Sequence, residues 1–244
     1  MAQREDRAWQ SSQLTNKYLI GVRAAIPQAE TQLDVMLRVI SADNRQVLNF
    51  LDLGCGGGAL ATALLDRYPK ARGVLVDFSR PMLDAARDQL KSHAASLHFV
   101  QADFADPAWV ESIKKHAPFD TAVSGYAIHH QPDARKQALY TEIHNLLNPG
   151  GIFINIEHVA PATAWVESLF ETHFIENLYE LEQTQGGART REELAAEYYH
   201  REDKQANILT PVEVQCDWLR RIGFQDVDCY FKIFELAVFG GRKG

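Results

Sequence analysis

A glycine-rich stretch follows a short apolar run and supplies the first residues that could hold a ligand. The run reaches Asp52, and glycines follow at Gly54, Gly56 and the next two positions. Glycine has no Cβ, so a ligand can approach the backbone of such a turn closely. The spacing Gly54-x-Gly56-x-x-Ala59 satisfies a dinucleotide fingerprint, and the same glycines with Asp52 form D-x-G-x-G-x-G. Asp52 would repel a pyrophosphate and attract an ammonium or sulfonium; a tight turn without a ligand is the alternative.

A second acidic residue ends the next predicted strand, at residues 73–77. Asp77 can accept hydrogen bonds from both hydroxyls of a ribose, which indicates a nucleoside ligand without choosing between dinucleotides and other nucleosides. Phe78 and Met82 follow at positions suited to packing on an adenine face. The alternatives are a solvated Asp77 before a helix and a core position for Met82.

Histidines, a tyrosine and a glutamate follow two later strands. Tyr126, His129 and His130 come after the fourth predicted strand, whereas Glu157 and His158 come after the fifth. The carboxyl ends of parallel strands share one edge of a sheet, so we expect these groups to lie near one another. Histidine can serve as a base at neutral pH, and a hydrogen-bonded structural role is the alternative for each. A metal is a further alternative, but the spacing matches no metal motif.

Alternating strands and helices must position these residues. Short apolar runs predict five strands, at residues 47–52, 73–77, 97–101, 119–124 and 152–156. This alternation predicts an α/β fold, a parallel sheet with helices on both faces. It stops at residues 162–205, which are expected to be helical. Strands at 224–231 and 233–239 are expected to form a hairpin around Lys232.

Composition excludes several classes of protein. The chain has 244 residues, a formal net charge of −7 and 46% hydrophobic residues. This composition is typical of a soluble globular protein, and the negative charge disfavours nucleic acid as the main partner. The odd number of three cysteines argues against a disulfide framework and a structural zinc site. The charged first residues predict no secretory leader, and no apolar run is long enough to cross a membrane, so the cytoplasm is the expected location.

Four motifs in order resemble those of the class I S-adenosylmethionine (SAM) dependent methyltransferases. They are the D-x-G-x-G-x-G turn, Asp103-Phe104 after the third strand, the stretch from Phe119-Asp to His129 and His130, and Asn148-Pro-Gly-Gly before the fifth strand. The resemblance covers residues 46–159, and the two final strands more loosely. It implies a Rossmann-like sheet of seven strands, mostly parallel, with the last strand antiparallel beside the sixth.

The resemblance also implies a cofactor and its contacts. SAM would be the methyl donor and S-adenosylhomocysteine (SAH) the product. Asp103 would meet the adenine amino group, and the backbone N–H of Phe104 a ring nitrogen. The residues expected to bind the cofactor are Asp52, Gly54, Cys55, Gly56, Asp77, Phe78, Met82, Asp103, Phe104, Ser124 and Gly125. A small filler in the glycine turn is an alternative role for Cys55.

On the acceptor side, the candidates fall into two groups. Tyr126, His129 and Glu157 are the candidate catalytic residues. The candidate substrate-binding residues are His130, His158, Tyr199 and Arg201. A small-molecule acceptor, methylated on an O, N or S atom, is expected. Because the sulfonium already makes the methyl carbon electrophilic, many such sites need no strong general base.

Residues 1–244 are expected to form a single methyltransferase domain. We divide it into an N-terminal helical cover (1–45), a SAM-binding core (46–161), a helical lid insertion (162–205), and a C-terminal helix with a strand hairpin (206–244). The alternative for the insertion is the interface of a homodimer.

Two other functions compete with methyl transfer. The carboxy-SAM synthases carry an Arg nine residues before a Thr, and Arg201 and Thr210 have that spacing. In those enzymes the Arg holds a carboxylate on the modified donor; the alternative for Arg201 is a solvated helix face. A non-catalytic SAM-binding protein is the remaining hypothesis.

Overall fold

A computed structural model describes residues 10–11, 25–42, 46–201, 204 and 206–244. Its strands are β1 (Asn49–Leu53), β2 (Arg72–Asp77), β3 (Leu97–Gln101), β4 (Phe119–Gly125), β5 (Leu147–His158), β6 (Phe224–Ile233) and β7 (Leu236–Lys243). The α-helices of these residues are α1 (Ala29–Ile40), α2 (Ala59–Arg67), α3 (Arg80–Gln89), α4 (Trp109–Ile113), α5 (Asp133–Leu146), α6 (Ala164–Thr184), α7 (Arg191–Tyr199) and α8 (Val212–Ile222).

All seven strands belong to one sheet in the order β3-β2-β1-β4-β5-β7-β6. Neighbours from β3 to β5 run parallel, and β7 lies antiparallel between β5 and β6. This is the Rossmann-like arrangement expected of class I methyltransferases, so the predicted fold is confirmed. The carboxyl ends of the five parallel strands consequently share one edge of the sheet.

Two apolar layers hold the sheet, one on each face. Met36 of α1 and Phe50 of β1 belong to the first layer, while Tyr140 of α5 and Phe153 of β5 belong to the second. All four side chains are fully buried. Burial on both faces explains why the central strands read as continuous apolar runs rather than alternating ones.

The last part of the sheet differs from the sequence prediction at two points. Strand β5 begins at Leu147, earlier than the predicted residue 152, because Leu147 already pairs with Phe119 across a register shift. The predicted hairpin turn at Lys232 is wrong: Lys232 pairs with Ala237 inside the hairpin, and the turn follows the Ile233–Leu236 pair. A lysine side chain can leave a strand toward solvent, so its charge does not interrupt the ladder.

The insertion forms the two helices α6 and α7, as its pattern predicted. Thr190 caps α7 in a capping box with Glu193. A third apolar cluster joins the insertion to the hairpin and touches Ile26 and Tyr126 at its edge; its buried members are Phe170, Phe174, Ile175, Tyr198 and Leu236. In the described part of the chain, no helix has the length and apolar character that crossing a bilayer needs.

Candidate functional site

A cavity of about 230 Å³ lies at the carboxyl ends of the parallel strands, with α1 along one side. We call it the main cavity. Ten of the eleven residues predicted to bind the cofactor line it, namely Asp52, Gly54, Cys55, Gly56, Asp77, Phe78, Met82, Asp103, Phe104 and Gly125. Tyr126 and His130 from the predicted acceptor side line it as well. The strand edge therefore collects residues that are far apart in the sequence.

The glycine turn brings its backbone against the segment that follows β4. The backbone N–H groups of Gly54 and Cys55 both donate to the carbonyl of Val76, at 2.8 and 3.0 Å. Gly54 has a φ of +69°, and a Cβ added there would lie 2.3 Å from the Cβ of Ala127. Only glycine satisfies both the left-handed backbone and the close approach.

Asp77 joins the glycine turn to the start of α3. Its Oδ2 accepts from the backbone N–H of Gly56 at 2.9 Å, and its Oδ1 accepts from that of Ser79 at 2.8 Å. Burial raises the pKa of Asp77 to about 6, against the stabilising effect of these bonds on the ionised form. Each carboxylate oxygen can accept more than one hydrogen bond, so a hydroxyl donor can still be bound.

The charge on the main cavity is of one sign. Glu30, Asp52, Asp77 and Asp103 contribute carboxyl groups, and among its described lining residues there is no lysine or arginine. Carboxylates in a partly dry cavity attract a cation and repel a pyrophosphate or an additional carboxylate. The cavity therefore favours a ligand that carries positive charge.

Helix α1 closes one side of the main cavity. The sequence analysis predicted only a helical cover over residues 1–45, without naming residues that contact the cavity. The buried Gln32 donates from Nε2 to the carbonyl of Pro27 at 2.8 Å and accepts a hydrogen bond from the Tyr126 hydroxyl. Tyr126 has a φ of +53°, and its backbone N–H donates to Ile156 at 2.8 Å. Tyr126, a predicted catalytic residue, thus fastens α1 over the cavity.

His129 and Glu157, the other two predicted catalytic residues, form a buried pair. The His129 Nδ1 lies 2.5 Å from Glu157 Oε1, and the His129 backbone N–H donates to Oε2 at 3.0 Å. Burial raises the pKa of Glu157 to about 7 and lowers that of His129 well below its usual range. Both pKa shifts favour the neutral form of the residue. Neither His129 nor Glu157 is among the residues that line the main cavity.

His130 is the predicted histidine that reaches the main cavity. Its Nδ1 lies 3.1 Å from the carbonyl of Ala206, and its ring packs 4.0 Å from that of His129 between centroids. A carbonyl can only accept, so Nδ1 carries the proton in neutral His130. Nε2 is then the ring nitrogen that can take up a proton.

A second histidine–carboxylate pair lies beside the first. His158 Nε2 is 2.7 Å from Oε2 of Glu235, and the rings of His158 and His129 are 5.9 Å apart. Glu235 lies in the hairpin turn and is buried. Sequence reasoning missed Glu235, because nothing near it in the chain suggests a site.

Three further predicted residues are not among those that line the main cavity. Ser124 is buried and donates to the carbonyl of Leu53 at 2.7 Å, which ties β4 to β1. Tyr199 is exposed on α7. Arg201 places its guanidinium 4.8 Å from the ring of Tyr198 and lines a separate cavity of about 120 Å³ between α6 and α7.

Comparison with known proteins gives three findings. A family model described as a methyltransferase domain matches residues 50–151. The carboxy-S-adenosyl-L-methionine synthase of Campylobacter lari is 23% identical over 91% of this chain and 88% of its own length. An O-methyltransferase family protein of Burkholderia thailandensis superposes with a TM-score of 0.67 at 16% identity, over 100% of this chain and 64% of that one.

The matched relatives indicate the kind of domain but do not indicate a single reaction. The release factor glutamine methyltransferase of Chlorobaculum tepidum is 32% identical over 44% of this chain. The chain spans 38%, 42% and 45% of the length of the first three curated relatives that it matches.

Proposed function

We propose that this chain transfers a methyl group from SAM to a small-molecule acceptor, because a family model of a methyltransferase domain matches residues 50–151. The observation that supports this most is the main cavity, which combines a glycine turn, four carboxyl groups and His130. SAM has a sulfonium and an ammonium against one carboxylate, so its net charge is opposite to that of the cavity.

The residues of the cavity fit this cofactor. Asp77 would accept from the ribose hydroxyls, and Asp103 would meet the adenine amino group. Phe78 and Met82 would pack on the adenine face, and the backbone N–H of Phe104 would meet a ring nitrogen. Asp52 and the glycine turn would hold the amino-acid part. When bound, SAM supplies an electrophilic methyl carbon, and the protein's part is alignment and exclusion of water.

The chain's own contribution to the chemistry is a proton acceptor. We assign that role to His130, because it lines the main cavity and its Nε2 can take the proton that the acceptor loses. The His129 ring packs against the His130 ring, and burial lowers the pKa of His129 and raises that of Glu157 to about 7. We assign this pair to positioning.

Synthesis of carboxy-SAM is the second candidate, because the relative that matches nearly the whole chain is a carboxy-SAM synthase. Such a donor carries an additional carboxylate. Among the described residues no cation lines the main cavity, and Arg201 lies on the separate cavity between α6 and α7. An additional carboxylate beside the four carboxyl groups of the described lining is unfavourable, so we favour simple methyl transfer.

A binding experiment tests the proposed function. Calorimetry is expected to show binding of SAM and SAH and no binding of NAD, because the carboxyl groups of the cavity repel a pyrophosphate. Mass spectrometry of the ligand that copurifies with the chain distinguishes SAM or SAH from a carboxylated donor. Tight NAD binding without any response to SAH would overturn the proposal.

The pH dependence of SAH binding tests the role of Asp77. Ribose hydroxyls bind the ionised carboxylate, and the pKa of Asp77 in the folded chain is about 6. Calorimetry is expected to show SAH bound about tenfold more weakly at pH 5 than at pH 7. Asp77→Asn should weaken binding at pH 7 by about 1–3 kcal/mol and abolish this slope.

The effect of Asp77 on folding stability has the opposite pH dependence to its effect on SAH binding, and this difference provides a control. A pKa raised from 3.8 means that the folded chain without ligand holds this proton between about pH 4 and 6. The contribution of Asp77 to the free energy of unfolding therefore falls as pH rises through that window. His130→Gln should retain the slope of SAH binding; if Asp77→Asn retains it too, another group is responsible.

Charge and composition bear on partners and location. The net charge of −7 supports a small-molecule acceptor over nucleic acid. A cytoplasmic location, a homodimer and the division into cover, core, lid and C-terminal part stay predictions.

A further inference from the structure

The segment at residues 206–210, which follows the insertion, forms a wall behind the two histidines. The carbonyl of Ala206 meets His130 Nδ1, and the backbone N–H of Ile208 donates to the His129 carbonyl at 2.9 Å. The side chain of Asn207 also reaches His129 as a hydrogen-bond partner. The protonation pattern of His130 therefore depends on where this segment lies.

A buried lysine holds the same segment in place. Lys136 in the first turns of α5 is fully buried, and its Nζ donates to Thr210 Oγ1 at 2.6 Å and to the carbonyl of Ile208. Asp133, three residues earlier, is 3.0 Å from the same Nζ and accepts from the Thr210 hydroxyl at 2.5 Å. The ammonium thus has three partners, two of them within residues 206–210.

The rest of the segment is fastened at its far end. The carbonyl of Thr210 accepts from the backbone N–H of Ala160, just after β5, at 3.2 Å, and from Nε2 of Gln215 at 2.9 Å. A fully buried ammonium is costly unless it is paired and hydrogen-bonded. A clamp of this kind is therefore sensitive to the loss of any one partner, and both Lys136 and Asp133 join α5 to the segment.

We propose that Lys136, acting with Thr210, is a positioning residue for His130: it holds segment 206–210 so that the Ala206 carbonyl keeps the proton on Nδ1 and leaves Nε2 basic. This inference rests on the proposed function, since it assigns the neutral His130 side chain to proton uptake. Lys136 does not line the main cavity; besides holding the segment, its charge acts on His129 and Glu157 beside His130.

The experiment reads the tautomer of His130 directly. Nitrogen-15 NMR of the full chain labelled at histidine, with His130→Gln to assign the signal, should show neutral His130 with Nδ1 protonated and Nε2 unprotonated. In Lys136→Met, which keeps the side-chain length and removes the ammonium, the Nε2–H form should become populated. Removing a base entirely costs about 10²–10⁴-fold in rate, so we expect kcat to fall roughly tenfold, with SAH affinity within about threefold.

Two further variants make the result decisive. Thr210→Val removes the hydroxyl that joins Lys136 to Asp133 at nearly constant volume, and it should shift the tautomer in the same direction. Lys114→Met is the matched control, because Lys114 pairs with Glu111 three residues earlier but on the exposed surface. It should leave the His130 signal unchanged.

Failure of this inference can be distinguished from failure of the proposed function. If Lys136→Met does not fold, as judged by circular dichroism, Thr210→Val alone decides. If His130 keeps its proton on Nδ1 in every variant that folds, Lys136 is not a positioning residue. A tautomer shift in a chain that does not bind SAH supports the clamp and contradicts the proposed function instead.

Discussion

Methyl transfer is expected to fall by about 10²–10⁴-fold when His130 is replaced by glutamine, the range typical for loss of a positioned base. His130 lines the main cavity, and its Nδ1 is engaged by the Ala206 carbonyl, which leaves Nε2 to take the proton. Glutamine keeps hydrogen-bonding groups but cannot accept a proton at neutral pH. The measurement is kcat with any acceptor that the wild-type chain methylates, alongside SAH affinity by calorimetry.

The SAH affinity of His130→Gln should stay within about threefold of wild type, because the lost step concerns the acceptor. His200→Gln is a matched control: its Nδ1 also meets a backbone carbonyl, that of Ala196 at 2.7 Å, but it is exposed at the end of α7. It should have no effect. If His129→Gln abolishes turnover in a stably folded chain and His130→Gln does not, the base is His129.

SAH binding is expected to weaken by about 10²-fold or more when Gly54 is replaced by alanine. The new Cβ would lie 2.3 Å from the Cβ of Ala127, in a residue whose φ is +69°. A left-handed alanine costs about 1–2 kcal/mol, and overpacking adds about 1–3 kcal/mol. The turn must move to relieve the contact, and the turn is a wall of the main cavity.

Gly186→Ala separates backbone strain from the clash. Gly186 has a φ of +72°, close to that of Gly54, but nothing lies within 4 Å of a Cβ added there. This variant should lose about 1–2 kcal/mol of stability in a urea titration and bind SAH as the wild type does. Normal SAH binding by Gly54→Ala would mean that the turn does not contact the cofactor.

The sequence by itself determined the fold and the residues nearest the glycine turn. Strand, turn and helix signals are local, and parallel strands bring their carboxyl ends to one edge. The alternation of strands and helices therefore places Asp52, Gly54 and Asp77 at the same edge of the sheet. The main cavity lies at that edge. The spacing of these residues and the carboxylate at the turn are enough to indicate a cationic nucleoside ligand.

The tertiary structure alone decided the rest of the site. Adjacent histidines look equivalent in a sequence. In the structure His129 contacts the buried Glu157, whereas His130 lines the main cavity. The reason is the 3₁₀ turn at Ile128–His130, which points consecutive side chains in different directions. Glu235 and Lys136 were invisible for a related reason. Glu235 is 77 residues from His158 and Lys136 is 74 residues from Thr210, so only packing of the hairpin and of segment 206–210 brings them together.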